Sequence, residues 1–370
     1  MKDPRIENLA KILVNYSVSV KPGDSVFILG HTIALPLVNE VVRHVLRAGG
    51  YPLPWFENDE LLATMLSEAS DAQLDWVSPL EKMAYHEMDV LISLRAASNT
   101  RTLTSIDPDK QRRRQTARRE LQETYLKRSA EGNLRWTVTA YPCHAFAQDA
   151  DMSLAEYEDF VYAATFADQP DPIQAWQKVR DEQQYLVEWL KGKKQIVLRG
   201  PNCDLTLSVE GRTFINCCGD KNMPDGEIFT GPVENSANGW VKFTYPAIAS
   251  REGGREVDGV ELEFKDGKVV SARAKKNEGF LLSMLDSDAG SRYIGEFAIG
   301  TNYGIQRFTK SVLYDEKIGG SFHLAVGAGY PETGSLNKSS LHWDFICDMR
   351  TDSEILVDGE LFYQNGQFKV

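Results

Sequence analysis

The run SVFILG at residues 25–30 decides the fold of the first half of the chain. It is a short apolar segment after a PGD turn at residues 22–24, and so it predicts a buried strand. Upstream, Asp3-Pro4 pairs an N-cap residue with proline, which predicts a helix start. Downstream, residues 35–48 predict a second amphipathic helix that ends at Gly49-Gly50. The apolar face of the first helix is predicted to comprise Ile6, Leu9, Ala10, Leu13 and Val14.

Three further strand patterns continue this series, with helical patterns between them. They are PLPWFE (52–57), DVLISLRA (89–96) and LRWTVTAYP (134–142). Strands that alternate with helices are typical of βαβ units and of a mainly parallel sheet. Residues 151–165 and 172–191 predict two helices that close this region. We therefore predict an α/β N-terminal domain at residues 1–192.

The pattern changes after residue 193, where short strands follow one another directly. DG, EG and NG dipeptides separate these strands, and such pairs favour tight hairpin turns. One helix is expected near residues 277–289. We therefore predict a β-rich (α+β) C-terminal metal-binding domain at residues 193–370.

Composition narrows the functional classes. A net charge of -12 over 370 residues argues against nucleic-acid binding, because a surface that follows phosphates needs a basic excess. The N-terminal segment lacks a secretory pattern, and no apolar run is long enough to span a bilayer. The five cysteines form no CxxC pair, and an odd number suits a reducing compartment. We expect a cytoplasmic protein with no membrane partner.

The one strongly basic segment is QRRRQTARRELQ at residues 111–122. An RNA-binding helix is one hypothesis. The alternative is a solvated helix face on which Glu120 and Glu123 pair with the arginines. The acidic chain and the absence of interleaved aromatic residues favour the second. Among the four scattered histidines of the first half, His31 follows a predicted strand and stays open as a functional candidate.

Two of the six histidines, His323 and His342, stand in a carboxylate-rich C-terminal stretch. Asp344 follows His342 by two positions in HWD, so on a strand both side chains point to the same face. Imidazole nitrogens and carboxylate oxygens are the ligands of zinc, cobalt, manganese and ferrous iron. A metal site and a hydrogen-bonded core network both fit these residues. The nearby acids are Glu296, Asp315 and Glu316.

Long ordered motifs in both halves resemble one known family. The chain resembles the thermophilic aminopeptidases, the aminopeptidase T and aminopeptidase S group of peptidase family M29. The motifs are YPCHAFAQDADMSLAEYEDFVYAA (141–164), NMPDGEIFTGPVENSANGWVKFTYPA (222–247), GGREVDGVELEFKDGKVV (253–270), YIGEFAIGTN (293–302), LYDEKIGGSFHLAVGAGYPETG (313–334) and LHWDFICD (341–348).

The resemblance implies a role for each matched position. Glu227 and Glu296 match the family's first two metal-binding glutamates, and Glu296 is the one suited to bridging two metals. Glu316 matches a third, with a longer connection to the first histidine than in the family's shorter DENASCH-like segment. His323, His342 and Asp344 match the remaining ligands. Tyr330 matches the catalytic tyrosine, and Glu227 is counted with it as catalytic.

The function implied is a metallo-aminopeptidase that uses water activated by two divalent ions, zinc, cobalt or manganese. The resemblance further implies a homodimer that acts on short peptides. An alternative is a non-haem Fe(II) ring-cleaving dioxygenase, which needs only His323, His342 and Asp344. The additional glutamates Glu227 and Glu296 favour hydrolysis over that chemistry. A third hypothesis, a non-catalytic binding protein with the same fold, fits least well because every matched ligand is present.

Overall fold

A computed structural model of the chain describes residues 3–249 and 255–370. Gly253 and Gly254, the first residues of one family motif, lie outside the described residues. The chain divides into two compact units. The first contains the residues up to Ala175 together with Gly219–Met223, and the second contains Trp176–Cys218 and Pro224–Val370. The domain boundary between residues 192 and 193 stays a prediction.

The secondary structure alternates in the first unit and is dominated by strands in the second. The helices are α1 (Pro4–Ile12), α2 (Leu35–Arg47), α3 (Asp59–Glu68), α4 (Asp71–Asp75), α5 (Pro79–Glu87), α6 (Pro108–Ala117), α7 (Arg119–Ala130), α8 (His144–Asp149), α9 (Leu154–Ala164), α10 (Pro172–Leu190), α11 (Glu278–Leu285) and α12 (Val312–Asp315). The strands of the first unit are β1 (Ser25–His31), β2 (Tyr51–Glu57), β3 (Val90–Arg95), β4 (Arg135–Ala140) and, later in the chain, β8 (Asn222–Met223). Those of the second are β5 (Gln195–Gly200), β6 (Cys203–Ser208), β7 (Ile215–Cys217), β9 (Glu227–Thr230), β10 (Asn238–Lys242), β11 (Ala247–Ala249), β12 (Arg255–Val257), β13 (Glu261–Lys265), β14 (Lys268–Arg273), β15 (Ile294–Gly300), β16 (Ser321–Gly327), β17 (His342–Asp348), β18 (Glu354–Val357), β19 (Glu360–Gln364) and β20 (Gln367–Phe368).

The first unit contains a five-stranded sheet in the order β2-β1-β3-β4-β8. Every neighbouring pair in it is parallel, so the mainly parallel sheet is confirmed. The local signals act as expected: the Asp3 side chain accepts a hydrogen bond from the Arg5 backbone N–H and caps α1. Gly49 has a φ of 83° just after α2, a left-handed conformation that glycine adopts without strain.

The basic segment forms α6 and the start of α7, and most of its arginines are paired with acids. Arg113 lies 2.7 Å from Asp71 and 2.6 Å from Asp75, and Arg118 pairs with Glu81. The predicted partner Glu120 instead pairs with Lys82, so that part of the prediction is wrong. The acids that pair with Arg113 and Arg118 lie on α4 and α5, which pack beside this segment. The local sequence does not reveal that packing.

His31 has a structural role at the end of β1. Its Nδ1 accepts a hydrogen bond from the Ile33 backbone N–H, and its Nε2 lies 3.4 Å from Asp59. The ring therefore caps the turn that follows β1.

The second unit is built from antiparallel sheets around one apolar core. An eight-stranded sheet has the order β14-β13-β10-β6-β5-β18-β19-β20, a five-stranded sheet has the order β17-β16-β15-β9-β7, and β11 pairs with β12. One apolar cluster includes Leu205 and Val241 of the larger sheet with Phe297 and Phe322 of the smaller one. No helix in the described ranges is long and apolar enough to cross a membrane.

Candidate metal centre

The five-stranded sheet of the second unit has two chemically different faces. Successive side chains of a strand point to opposite faces, and the residues on one face of β15, β16 and β17 belong to the apolar core. That face comprises Phe297, Ile299, Phe322, Leu324, Val326, Trp343 and Phe345. The other face carries the alternate residues, which include the predicted ligands on these strands.

Strand register places these ligands side by side. His323 lies opposite Ala298, and Asp344 lies opposite Ala325, so these side chains share a face with Glu296, which is also opposite Ala325. The positions between them carry small residues. Alanine and glycine leave room above the sheet, and the long ligand side chains converge in that space.

Glu296 lies between the two histidines. Its Oε1 is 3.8 Å from Nε2 of His323, and its Oε2 is 3.3 Å from Nε2 of His342. The Glu296 side chain is 6% exposed and that of His323 is 1% exposed. Each oxygen of the Glu296 carboxylate therefore faces a different imidazole.

His342 is oriented by a backbone carbonyl. Its Nδ1 lies 2.8 Å from the Ala328 oxygen, and because a carbonyl only accepts, Nδ1 carries the hydrogen. Nε2 then faces Glu296 and Asp344, whose Oδ1 is 3.6 Å away. A carbonyl that fixes the ring of a histidine ligand in this way is common in metal sites.

Glu227, Glu316 and Lys317 form the other end of the cluster. Glu227 begins β9, and its Oε2 lies 3.6 Å from Nε2 of His323. Glu316 follows α12 directly, and the glycine-containing connection to β16 brings its carboxylate to this end. Lys317 Nζ lies 2.7 Å from Glu227 Oε1 and 2.9 Å from Glu316 Oε2.

Two overlapping groups of ligand atoms result. Glu227, Glu316 and His323 offer atoms within 4.8 Å of one another. Glu296, His323 and Asp344 form a second group by the same measure. His342 adjoins the second group through its contacts with Glu296 and Asp344.

The charges in this cluster act strongly on one another. Burial lowers the pKa of His323, but Glu296 and Glu227 outweigh it and raise the pKa to about 9. Burial raises the pKa of Glu296, yet the neighbouring His323 and His342 imidazoles lower it to about 2. The carboxylates therefore stabilise positive charge beside the imidazole Nε2 atoms, and a divalent cation bound there would supply such charge without protons.

The cluster fits divalent cations on two further grounds. Glu227 Oε2 and Asp344 Oδ1 are buried oxygens without a hydrogen-bond partner in the described part of the chain, and such atoms are costly unless something satisfies them. Two atoms that each lie about 2.1 Å from one tetrahedral ion are about 3.4 Å apart. The nitrogen–oxygen separations of 3.3 to 3.8 Å in this cluster are close to that value.

Tyr330 lies at the edge of the cluster, just before a short 3-10 helix at Pro331–Thr333. Its ring packs edge-on against His342 at 5.2 Å and against Phe229 at 5.3 Å. The residue is 40% exposed, so one side of it faces solvent. Partial burial and the charge of Glu296 raise the pKa of Tyr330, so its hydroxyl stays protonated as a hydrogen-bond donor.

Some acids of this region serve other purposes. Asp315 accepts hydrogen bonds from the Thr309 backbone N–H at 2.7 Å and from the Thr309 hydroxyl at 2.9 Å. It therefore fixes the loop before α12 and offers no atom to the two ligand groups. Lys317, Cys217 and Asp225 are three further residues of this region that the sequence did not predict, and ligand atoms of Cys217 and Asp225 lie within 4.8 Å of one on Glu227. The one signal in the sequence for Lys317 is its position directly after the predicted ligand Glu316 in LYDEKIGG.

Comparisons with known proteins agree along the whole chain. The profile of a family described as thermophilic metalloprotease (M29) matches residues 2–368. Aminopeptidase 2 of Geobacillus stearothermophilus is 26% identical over 96% of this chain and 94% of its own length. The structure of wild-type AmpT from Thermus thermophilus superposes with a TM-score of 0.86 at 22% identity, covering 99% of each chain.

A second solved structure shares the fold more distantly. The 2,5-dihydroxypyridine dioxygenase of Pseudomonas putida superposes with a TM-score of 0.58 at 14% identity, covering 99% of this chain and 97% of its own. At this level of identity the likeness concerns the fold alone.

Proposed function

Because the chain belongs to the thermophilic metalloprotease (M29) family, we propose that it is a metal-dependent aminopeptidase that releases N-terminal residues from short peptides. Membership in that family makes the protein a hydrolase. Relatives along nearly its full length are named aminopeptidases, which supports the narrower activity. The observation that carries the proposal is the position of the Glu296 carboxylate between His323 and His342.

We propose that the cluster holds up to two divalent ions, zinc, cobalt or manganese. Glu227, Glu316 and His323 would hold one, and Glu296, Asp344 and His342 the other, with Glu296 and His323 close to both. When bound, such ions act as Lewis acids and lower the pKa of a bound water. The buried carboxylates and the core beneath them hold this chemistry in a site of low dielectric, which strengthens each charge interaction.

Two of the chain's residues are proposed to act on the reacting peptide. The Tyr330 hydroxyl, kept protonated, donates a hydrogen bond to the oxyanion that forms when the peptide carbonyl is attacked. Its exposed side would allow a substrate to approach. Glu227, which is 5% exposed, would combine a ligand role with a catalytic one, because a buried carboxylate beside the reacting peptide can take up a proton during the reaction.

We also propose a cytoplasmic homodimer. All five cysteines are free thiols, as is usual in a reducing compartment. The edge strand β2 exposes Tyr51, Leu53, Trp55 and Phe56, each by 37% or more. An exposed apolar row of this kind favours burial against a partner, and a second copy of the chain is our proposal. Trp55→Glu should convert a dimer to monomers in light-scattering chromatography, and a monomeric wild type would contradict the proposal.

The dioxygenase hypothesis is not favoured. The family that matches residues 2–368 is a metalloprotease family, and the dioxygenase resembles this chain in fold only. Glu227 and Glu316 also exceed what the two-histidine, one-carboxylate iron site needs.

The decisive experiment compares two substrates after the apoprotein is loaded with Zn²⁺, Co²⁺ or Mn²⁺. Leucine anilide should be hydrolysed, whereas N-acetyl-leucine anilide should not, because an aminopeptidase requires a free α-amine. Chelation should abolish the activity. Equal hydrolysis of both substrates would contradict aminopeptidase action, and oxygen-dependent cleavage of a dihydroxypyridine by protein loaded with Fe²⁺ would restore the alternative.

A further inference from the structure

Lys317 is a buried cation inside the candidate metal centre. Its side chain is 1% exposed, and Nζ lies 2.7 Å from Glu227 Oε1 and 2.9 Å from Glu316 Oε2. Its backbone is fixed on both sides: its N–H donates to Tyr314, and its carbonyl accepts from Asn302. The position of the ammonium is therefore built into the fold.

An ammonium group is buried only where anions compensate for its lost hydration. Here the Lys317 ammonium donates hydrogen bonds to one oxygen of Glu227 and one oxygen of Glu316, two proposed metal ligands. The other end of the cluster differs. Among the described residues, the only charged or chargeable nitrogens within 4 Å of Glu296 and Asp344 belong to His323 and His342.

We propose that Lys317 is a resident cation that competes with a metal ion for Glu227 and Glu316, so that the two metal positions load unequally. The position formed by Glu296, His342 and Asp344 binds its ion tightly. The position at Glu227 and Glu316 binds a second ion weakly, against the repulsion of the ammonium. The inference rests on the metal site proposed above and is independent of the peptidase reaction.

Electrostatics gives the direction of the effect. An ammonium and a divalent ion that share two carboxylates are only a few ångströms apart, and like charges repel strongly in a buried site. The second ion also has to draw Glu227 and Glu316 away from Nζ. Asp225, which is 1% exposed, is a further carboxylate whose charge acts on Lys317 and could hold the displaced ammonium.

The test is a calorimetric titration of the metal-free full-length protein with Co²⁺, supported by the visible absorption of bound Co²⁺. Wild type should bind two ions with dissociation constants that differ by about a hundredfold. A unit charge a few ångströms from a metal ion in a buried site changes the affinity for that ion by about tenfold or more. Lys317→Met should therefore strengthen the weaker step by at least about tenfold and leave the tighter step in place. Lys191→Met, which removes an 80% exposed lysine, is the control for lost charge.

Each other result has a definite meaning. Two equal dissociation constants in wild type would overturn the inference, and this measurement needs no variant to fold. Weaker binding of both ions by Lys317→Met would overturn it as well, because the lysine would then only orient the ligands. If wild type binds no Co²⁺ at all, the metal site and the proposed function fail together.

Discussion

Oε2 of Glu296 lies 3.3 Å from Nε2 of His342. Because Nδ1 of that ring is hydrogen-bonded to the Ala328 carbonyl, Nε2 is the ring nitrogen that remains available to bind a metal ion. The contact therefore joins a carboxylate to the ring nitrogen that we propose binds a metal ion. With the other oxygen of Glu296 turned toward His323, this carboxylate is central to the whole cluster.

Glu296→Gln should abolish metal binding and activity, because the amide carries no charge and its nitrogen cannot ligate. Glu316→Gln should weaken metal binding by only about tenfold to a hundredfold, since Glu316 lies at one end of the cluster. Metal content measured by elemental analysis after dialysis distinguishes the two variants. Equal tolerance of both substitutions would show that Glu296 is not the bridge.

Tyr330→Phe should lower kcat by about a hundredfold or more with little change in KM. The substitution removes only the hydroxyl, and the ring still packs against His342 and Phe229. A loss confined to kcat marks an interaction made in the transition state. Tyr185→Phe, at a tyrosine that is 58% exposed, should leave both constants unchanged. If Tyr330→Phe keeps wild-type kcat on several peptides, the tyrosine is a packing residue.

The N-terminal sheet was largely predictable, because strands of a parallel sheet are apolar along their length and the helices between them are periodic. Its last strand was not. Asn222–Met223 pairs with β4, although it lies in the part of the sequence that predicts hairpins. Two residues carry no periodic pattern, and their pairing depends on where the chain returns in space.

The candidate metal cluster was predictable to a similar extent. The two-residue spacing of His342 and Asp344 places both on one strand face, as β17 confirms. Lys317 was missed because lysine is ordinarily a surface residue. Its burial depends on Glu227, which is distant in sequence, and no local pattern records that contact.

Asp288→Asn should destabilise the segment that leads into β17. The Asp288 carboxylate accepts hydrogen bonds from the Ser340 backbone N–H at 2.8 Å and from the Ser339 hydroxyl at 2.9 Å. Hydrogen bonds from Ser340 hold the pKa of Asp288 well below its ordinary value, although burial opposes them. We expect a loss of about 1–2 kcal/mol in the free energy of unfolding at neutral pH.

The pH dependence of that loss follows from the lowered pKa of Asp288. The stabilisation by the ionised Asp288 carboxylate is fully present above about pH 4, which is the ordinary pKa of an aspartate in an unfolded chain. It disappears as the pH falls through the lower folded-state pKa. Denaturant unfolding of both proteins at several pH values checks this. Asp181→Asn, at a side chain that is 75% exposed, is the control. A difference between Asp288→Asn and wild type that persists unchanged at the lowest pH would contradict the assignment.

Gly295→Ala should disturb the carbonyl that orients His342. A Cβ at Gly295 would lie 2.2 Å from the Ala328 oxygen and 2.4 Å from the Gly327 oxygen, so the loop after β16 would have to move. Overpacking of this kind costs about 1–3 kcal/mol of stability, and metal affinity should fall with it. Gly279→Ala in α11 is the matched control, since its Cβ would meet no atom within 4 Å and should be neutral or stabilising. Denaturant unfolding and a metal titration compare the variants, and similar behaviour of the two would show that the loop yields without moving His342.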